Sequence, residues 1–113
     1  QAWARRIQQW WADGHDVLVT PTLTAPPPRL GQLAPTAPIA QLMAGMGALT
    51  AFCWPFNVTG QPAISLPLHW TPEGLPVGVQ LVAAYGREDI LLRLAAQLEA
   101  ARPWAERIPV IHA

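Results

Sequence analysis

FNVTGQPAISLPLHWTPEGLPVGVQLV, residues Phe56 to Val82, is the stretch whose reading decides the fold. Gly60-Gln61-Pro62 makes a tight turn, because Gly and Pro supply backbone angles that other residues resist. Ala63-Ile64-Ser65-Leu66 reads as a buried strand, and Pro67 marks either its end or an edge position, since proline cannot donate to a ladder. His69 to Pro76 form a loop with Glu73-Gly74 at the tip. Val77-Gly78-Val79-Gln80-Leu81-Val82 returns as a second strand, with Val77, Val79 and Leu81 on one face. A loop this short joins antiparallel strands. Gly78, inside a strand, marks the close approach of another backbone or side chain.

The rest of the chain reads as helices and loops packed against that pair. Trp3, Ile7, Trp10 and Trp11 recur at i, i+4, i+7 and i+8, which predicts a core-facing helix, and Asp13-Gly14 stops it. Asp16 to Thr20 is a short β-branched run closed by Pro21, which predicts a strand covered on both faces, as in a parallel or mixed sheet. Residues 21 to 38 are rich in proline, including Pro26-Pro27-Pro28, and read as an irregular or polyproline II loop wrapping a larger body. Ile39, Leu42, Met43, Met46, Leu49, Phe52 and Cys53 follow at helical spacing. They predict a second helix, capped near Thr36 and ended before Pro55, with Met43 and Met46 as core filler. Gly45 and Gly47 each cost that helix about 1 kcal/mol against Ala and leave room for a neighbouring backbone. Glu88 and Asp89 open a last helix, favoured there by the helix dipole. Ile90, Leu91, Leu94, Ala95 and Leu98 form its stripe, and Pro103 ends it. Trp104 anchors a tail whose last residues read as loosely held.

At 113 residues the chain has the length of one domain at most. It is 51% hydrophobic and 12% charged, about half the charge usual for a soluble domain. A small body exposes much surface, so this apolar excess predicts that part of the surface is covered by something outside these residues. The absence of an initiator Met and the immediate helix predict a fragment or a processed chain. Net charge is zero with no basic run, which removes the electrostatic footprint of a nucleic-acid binder. No apolar run is long enough to span a membrane, and no secretory signal precedes the first helix. A cytoplasmic location is expected, and Asn57-Val58-Thr59 is discounted as a glycosylation site on that ground. Cys53 is the single cysteine, which excludes an internal disulfide and a thiolate metal cluster.

Few residues offer chemistry. Ser65 and His69 share a face of a simple extended strand but lie ~13 Å apart, beyond the reach of a nucleophile–base hydrogen bond. Ser65 lacks a nucleophile elbow and reads as a strand serine. Cys53 falls on the apolar stripe of the second helix, where a free cysteine is usually packing. His15, His69 and His112 are scattered, without the spacing that brings three metal ligands together. No cofactor and no metal site are implied.

The order of these features resembles the C-terminal part of the amidase signature family. The marks are Thr20-Pro21-Thr22 ending a strand, a proline-rich loop, a helix, the block Phe56-Asn57-Val58-Thr59-Gly60-Gln61-Pro62-Ala63-Ile64-Ser65-Leu66-Pro67, then Gly74-Leu75-Pro76-Val77-Gly78-Val79-Gln80. The final helix closes on Leu98-Glu99-Ala100-Ala101-Arg102-Pro103-Trp104. Leu68-His69-Trp70 is most similar to bacterial amidases near the cyclic-amide (6-aminohexanoate dimer) hydrolases. The resemblance covers nearly the whole chain. It implies an α/β fold with a mixed β-sheet flanked by helices, of which residues 1–113 are a partial domain. It also implies hydrolysis of a carboxamide to acid and amine by a Ser–cis-Ser–Lys triad, the lysine acting as base through the middle serine. One serine and no lysine cannot supply that triad, so no catalytic residue is assigned here and the isolated chain is expected to be inactive.

The resemblance implies a different role for the helix and turn ahead of the FN-x-TG block, which lie near the bound amide in the family. Thr50, Phe52, Cys53 and Trp54 are therefore candidate substrate-binding residues, the last three forming an apolar wall suited to an uncharged amide. Core packing is the competing role for each. Amidotransferase relatives that use glutamine carry an acidic residue near the position of Thr50, which is uncharged here. Asn57 is expected to tie down the turn with its side-chain amide. The expected partners are a small-molecule amide and the remainder of the amidase fold, with a homodimer left open. Two other readings stand beside this one: the A subunit of a glutamine-dependent aminoacyl-tRNA amidotransferase, and a non-catalytic interaction module made of this segment alone.

Overall fold

The structure is a computed structural model and describes residues 2–109. His112 and the end of the tail lie outside the described residues. Seven elements follow in chain order: α1 (Ala2–Ala12), β1 (Val17–Pro21), α2 (Ile39–Thr50), α3 (Trp54–Thr59), β2 (Ala63–Trp70), β3 (Pro76–Ala83) and α4 (Glu88–Ala101). The strands form one sheet in the order β1-β3-β2, antiparallel throughout. The hairpin strands pair as expected, and β3 is the central strand.

Strand alternation gives the sheet two different faces. Leu81 and Ala83 of β3 join Leu66 of β2 and Leu91 of α4 in one cluster, with Val17, Ile64, Val79 and Trp104 packed around it. Val82, one residue out of phase, faces the other way and meets Ile7 of α1 and Phe56 of α3, with Trp10, Trp11 and Leu18 beside them. The sheet is thus a middle layer between α4 and the α1–α3 side. Trp104 anchors the tail as its position predicts. Near α1, the His15 ring stacks on Trp10 with centroids 4.1 Å apart.

β1 departs from its expected setting in two ways. It pairs antiparallel with β3, with Val17 opposite Ala83 and Val19 opposite Leu81, so the continuous apolar run does not report parallel pairing. Nor is it covered on both faces along its length: Val19 is 60% exposed. The reason is position, since α4 packs on β2 and β3 and β1 lies beyond it at the sheet edge.

β2 runs on through Pro67 to Trp70 instead of ending at Leu66. An edge strand tolerates proline because one side of its ladder is unpaired. The register shifts between Pro67 and His69, so a bulge follows the proline. The tip of the hairpin loop holds as read, with Gly74 at φ +84° and its N–H donating to the Thr71 carbonyl at 2.9 Å.

The helix expected to run to Cys53 is two helices. α2 starts after Pro38, not Thr36; Pro38 is extended (ψ 136°), and its carbonyl accepts from Gln41 and Leu42. It ends at Thr50, and Pro55, read as a stop signal, sits in the first turn of α3. A first-turn residue has no intrahelical acceptor for its N–H, so proline loses nothing there. Asn57 is consequently an exposed residue inside α3, not a turn clamp. Gly60 closes α3 in the left-handed conformation, φ +78°, with its N–H on the Phe56 carbonyl at 2.7 Å. None of the α2 residues is buried. Met43 and Met46, expected as core filler, are 67% and 54% exposed, while Leu42 and Leu49 of the same stripe are half-buried. Gly45 does permit close packing, since a Cβ there would lie 2.6 Å from Leu33 Cδ2, whereas Gly47 faces open space.

α4 carries the acidic first turn that its dipole favours. Asp89 pairs with Arg87 Nε and with Arg93 Nη2, each at 2.9 Å. The hydrogen bond from Arg87 is the main reason its carboxyl pKa falls to about 2 from an ordinary 3.8. A depressed acid stabilises the fold above its unfolded pKa and loses that contribution as pH falls through the folded value. Asp89 should therefore titrate near pH 2 by NMR, and Asp89→Asn should flatten the loss of α4 helicity between pH 4 and 2. The pair is exposed, so added salt should shrink the effect.

Candidate functional site

The four candidate residues straddle the junction of α2 and α3: Thr50 ends α2, Phe52 and Cys53 lie in the turn, and Trp54 opens α3. The α1–α3 face of the sheet fixes where that junction sits. On that face Thr20, Gln80 and Ser65 lie side by side across β1, β3 and β2, by the pairings Thr20 with Gln80 and Ser65 with Gln80. Beyond them the chain leaves β1 through Thr22, whose N–H donates to the Gly78 carbonyl at 3.0 Å. The Thr22 and Ser65 hydroxyls meet at 2.6 Å over Gly78. A Cβ on Gly78 would lie 2.7 Å from Thr22 Oγ1 and 2.8 Å from Ser65 Oγ. The close approach expected at this glycine is thus a hydroxyl pair. A cleft of about 330 Å³ opens here, lined by Thr22, Leu23, Ser65, Pro67, Pro76 and Gly78.

The four candidates do not share one environment. Thr50 is exposed at the end of α2, and its hydroxyl donates back to the Met46 carbonyl at 2.9 Å, so that hydroxyl is engaged within its own helix. Phe52 is half-buried, and its carbonyl accepts from Gln80 Nε2 at 3.0 Å. Cys53 is a half-buried free thiol, off the helix stripe on which it was expected, and its Sγ donates to the Thr22 carbonyl at 3.5 Å. The Cys53 carbonyl accepts from Phe56 and Asn57 and so starts α3. Trp54 is 65% exposed. The structure therefore ties Phe52 to β3 through Gln80 and Cys53 to the chain just beyond β1, and leaves Thr50 and Trp54 exposed.

Two buried glutamines carry structural hydrogen bonds, and neither was read from the sequence as a structural residue. Gln80 is 5% exposed; its Nε2 donates to Thr20 Oγ1 as well as to Phe52, both at 3.0 Å. Gln61 is 8% exposed, with Oε1 against the Thr59 hydroxyl. The available signal for Gln80 was a polar residue in the middle of an otherwise apolar strand.

Chemically, the cluster of Thr20, Thr22, Cys53, Ser65 and Gln80 offers hydroxyls, an amide and a thiol. It contains no amine, imidazole or carboxylate to take a proton from Ser65 Oγ, whose partner is another hydroxyl. A serine without a base is a poor nucleophile. The arrangement can shape and line a cavity, and it supplies no proton-transfer chemistry of its own. The bulge after Pro67 also breaks the alternation that would put His69 in phase with Ser65. No helix of the described residues is long and apolar enough to cross a membrane.

A model of the amidase family matches residues 1–92. The chain is 47% identical to the 6-aminohexanoate-cyclic-dimer hydrolase of Pseudomonas sp. (strain NK87), over 95% of this chain and 23% of that enzyme. The solved structure of a 6-aminohexanoate cyclic dimer hydrolase aligns with a TM-score of 0.85 at 47% identity, over 95% of this chain and 23% of that one. A solved structure of the glutamyl-tRNA(Gln) amidotransferase of Thermotoga maritima, of its A-type polypeptide, aligns with a TM-score of 0.71 at 25% identity, over 92% of this chain and 21% of that one. The chain spans less than a quarter of the length of these relatives. By the family match, the motif order and the shared α/β fold, this chain belongs to the amidase family.

Proposed function

We propose that this chain is the C-terminal part of an amidase that hydrolyses a carboxamide C–N bond to acid and amine, with the reacting groups supplied from outside these residues. The observation that carries the reading is the fold likeness to the hydrolase, 0.85 in TM-score over 95% of the chain, joined to an inventory of one serine and no lysine. A Ser–cis-Ser–Lys triad would perform the chemistry: the lysine takes a proton through the middle serine, the nucleophilic serine attacks the carbonyl, and backbone N–H groups hold the oxyanion. The present residues would line the amide site, with Phe52, Cys53 and Trp54 as an apolar wall. The relatives' name points to a cyclic amide of 6-aminohexanoate as the substrate class. The unburied stripe of α2 supports the need for a larger body, since a solvated helix face with Ile39, Met43 and Met46 exposed contributes no hydrophobic stabilisation.

The likeness to the amidotransferase favours a second reading, in which glutamine is the amide donor. Thr50 speaks against it: an uncharged hydroxyl already bonded to Met46 offers no counter-charge to a substrate ammonium.

A hybrid tests the proposal, in which this chain replaces the matched segment of the Pseudomonas hydrolase. The hybrid should hydrolyse the cyclic dimer of 6-aminohexanoate, keep that activity with Ser65→Ala, and show no glutaminase activity. The isolated chain should turn over neither the cyclic dimer nor an aryl amide. Turnover by the isolated chain that Ser65→Ala removes would falsify the assignment.

A further inference from the structure

We propose that Gln80 is a positioning residue that sets the substrate wall at Phe52–Trp54, and through it the choice among amides. The inference rests on the reading of that turn as amide lining. Gln80 sits on the central strand, 5% exposed, with both amide hydrogens taken: one by Thr20 Oγ1 and one by the Phe52 carbonyl, each at 3.0 Å. A primary amide has only two hydrogens to give, so this side chain has no freedom to turn. Its acceptor on the far side is a main-chain atom of the turn. Phe52 lies between α2 and α3 and belongs to neither helix, so this contact ties the turn directly to the sheet. The Cys53 thiol, on the Thr22 carbonyl at 3.5 Å, is a second and softer tie to the end of β1.

Removing the Gln80 amide leaves the Phe52 carbonyl without this donor in a partly buried place, and the turn gains freedom to open. Cys53 is the only cysteine of the chain and sits in that turn, so its alkylation reports the opening without any need for activity. In the hybrid hydrolase, Gln80→Leu should raise the rate of iodoacetamide alkylation at Cys53, read by peptide mass spectrometry, about tenfold. Thr20→Val removes the other acceptor and leaves the Phe52 bond, so it should leave that rate within about twofold of the parent. On the cyclic amide, Gln80→Leu should raise KM with a smaller change in kcat, while a small linear aryl amide is less affected. Thr20→Val should not alter the preference between the two. Circular dichroism of each variant gives helix content, which a merely unfolded variant would lose.

Equal Cys53 alkylation in Gln80→Leu and parent overturns the positioning role, whatever the activity. Faster alkylation in Thr20→Val than in Gln80→Leu also overturns it, because the Phe52 bond would then not be the tie that matters. Faster alkylation in Gln80→Leu with an unchanged preference between the amides overturns the link to selectivity. A hybrid that folds, shows the alkylation difference and hydrolyses no amide overturns the proposed function instead, so the two failures are distinct.

Discussion

Leu91→Ala is expected to lower the free energy of unfolding by about 2–5 kcal/mol. Leu91 is 3% exposed and is the single buried residue of α4. It meets Leu66 of β2 and Leu81 and Ala83 of β3, so the sheet face that it covers has no substitute. Truncation removes the transfer energy of the lost carbons and leaves a cavity among strands that cannot collapse onto the helix. The neighbouring Leu92 is 64% exposed, and Leu92→Ala should stay within about 0.5 kcal/mol of the parent. Urea unfolding of the hybrid hydrolase and its two variants, followed by hydrogen exchange at β3 amides, separates them. Equal losses for the two leucines would mean that α4 does not pack on the sheet through Leu91. The loss matters because a folded domain stands only about 5–15 kcal/mol from unfolding.

The second large effect is at Gly78. Gly78→Ala places a methyl 2.7 Å from Thr22 Oγ1 and 2.8 Å from Ser65 Oγ, closer than any real contact. Neither hydroxyl can withdraw along a long side chain, and Thr22 Cβ itself is 3.0 Å away. The strands must separate or the hydroxyl pair must break, at a cost of about 1–3 kcal/mol. Ser65→Ala removes one of the two obstructing oxygens and frees Thr22 to turn. A double-mutant cycle should therefore show that Gly78→Ala costs less in the Ser65→Ala background, with a coupling of about 0.5–3 kcal/mol. Strict additivity would place the strain of Gly78→Ala somewhere other than this hydroxyl pair.

Much of the fold was legible because its signals are local. The hairpin followed from a short loop between two β-rich runs, and α4 from its 3–4 spacing. α1 followed from Trp3, Ile7, Trp10 and Trp11, although Trp3 is 46% exposed, and the close approach at Gly78 from a glycine inside a strand. The errors came where one residue type serves opposite ends of the same element. Pro55 can stop a helix or begin one; what decides is that the Cys53 carbonyl is met by the N–H groups of Phe56 and Asn57. At Pro67 the edge alternative holds, and the error was only in ending the strand at Leu66; edge status itself depends on where β1 goes. Met43 and Met46 were placed in a core from their spacing, yet spacing states which residues share a face and not what covers it.

The candidate site was half legible. Thr50, Phe52, Cys53 and Trp54 were reached through the motif order; they are neighbours at the α2–α3 junction, with only Phe52 and Cys53 in the turn itself. Their unequal settings were not visible, and neither was Gln80. Its two partners lie 28 and 60 positions away along the chain, and no window of sequence contains them.

The type and order of most elements are written in the residues alone, as is an inventory of side chains too poor in base and nucleophile to run the family's reaction. Both are properties of composition and of spacing over a few residues. Folding was needed to make β3 the middle strand, to bring Thr22 and Ser65 together over Gly78, and to set a buried glutamine against the turn before α3. Those outcomes depend on hydrogen bonds and contacts between distant segments, which local backbone preference does not encode.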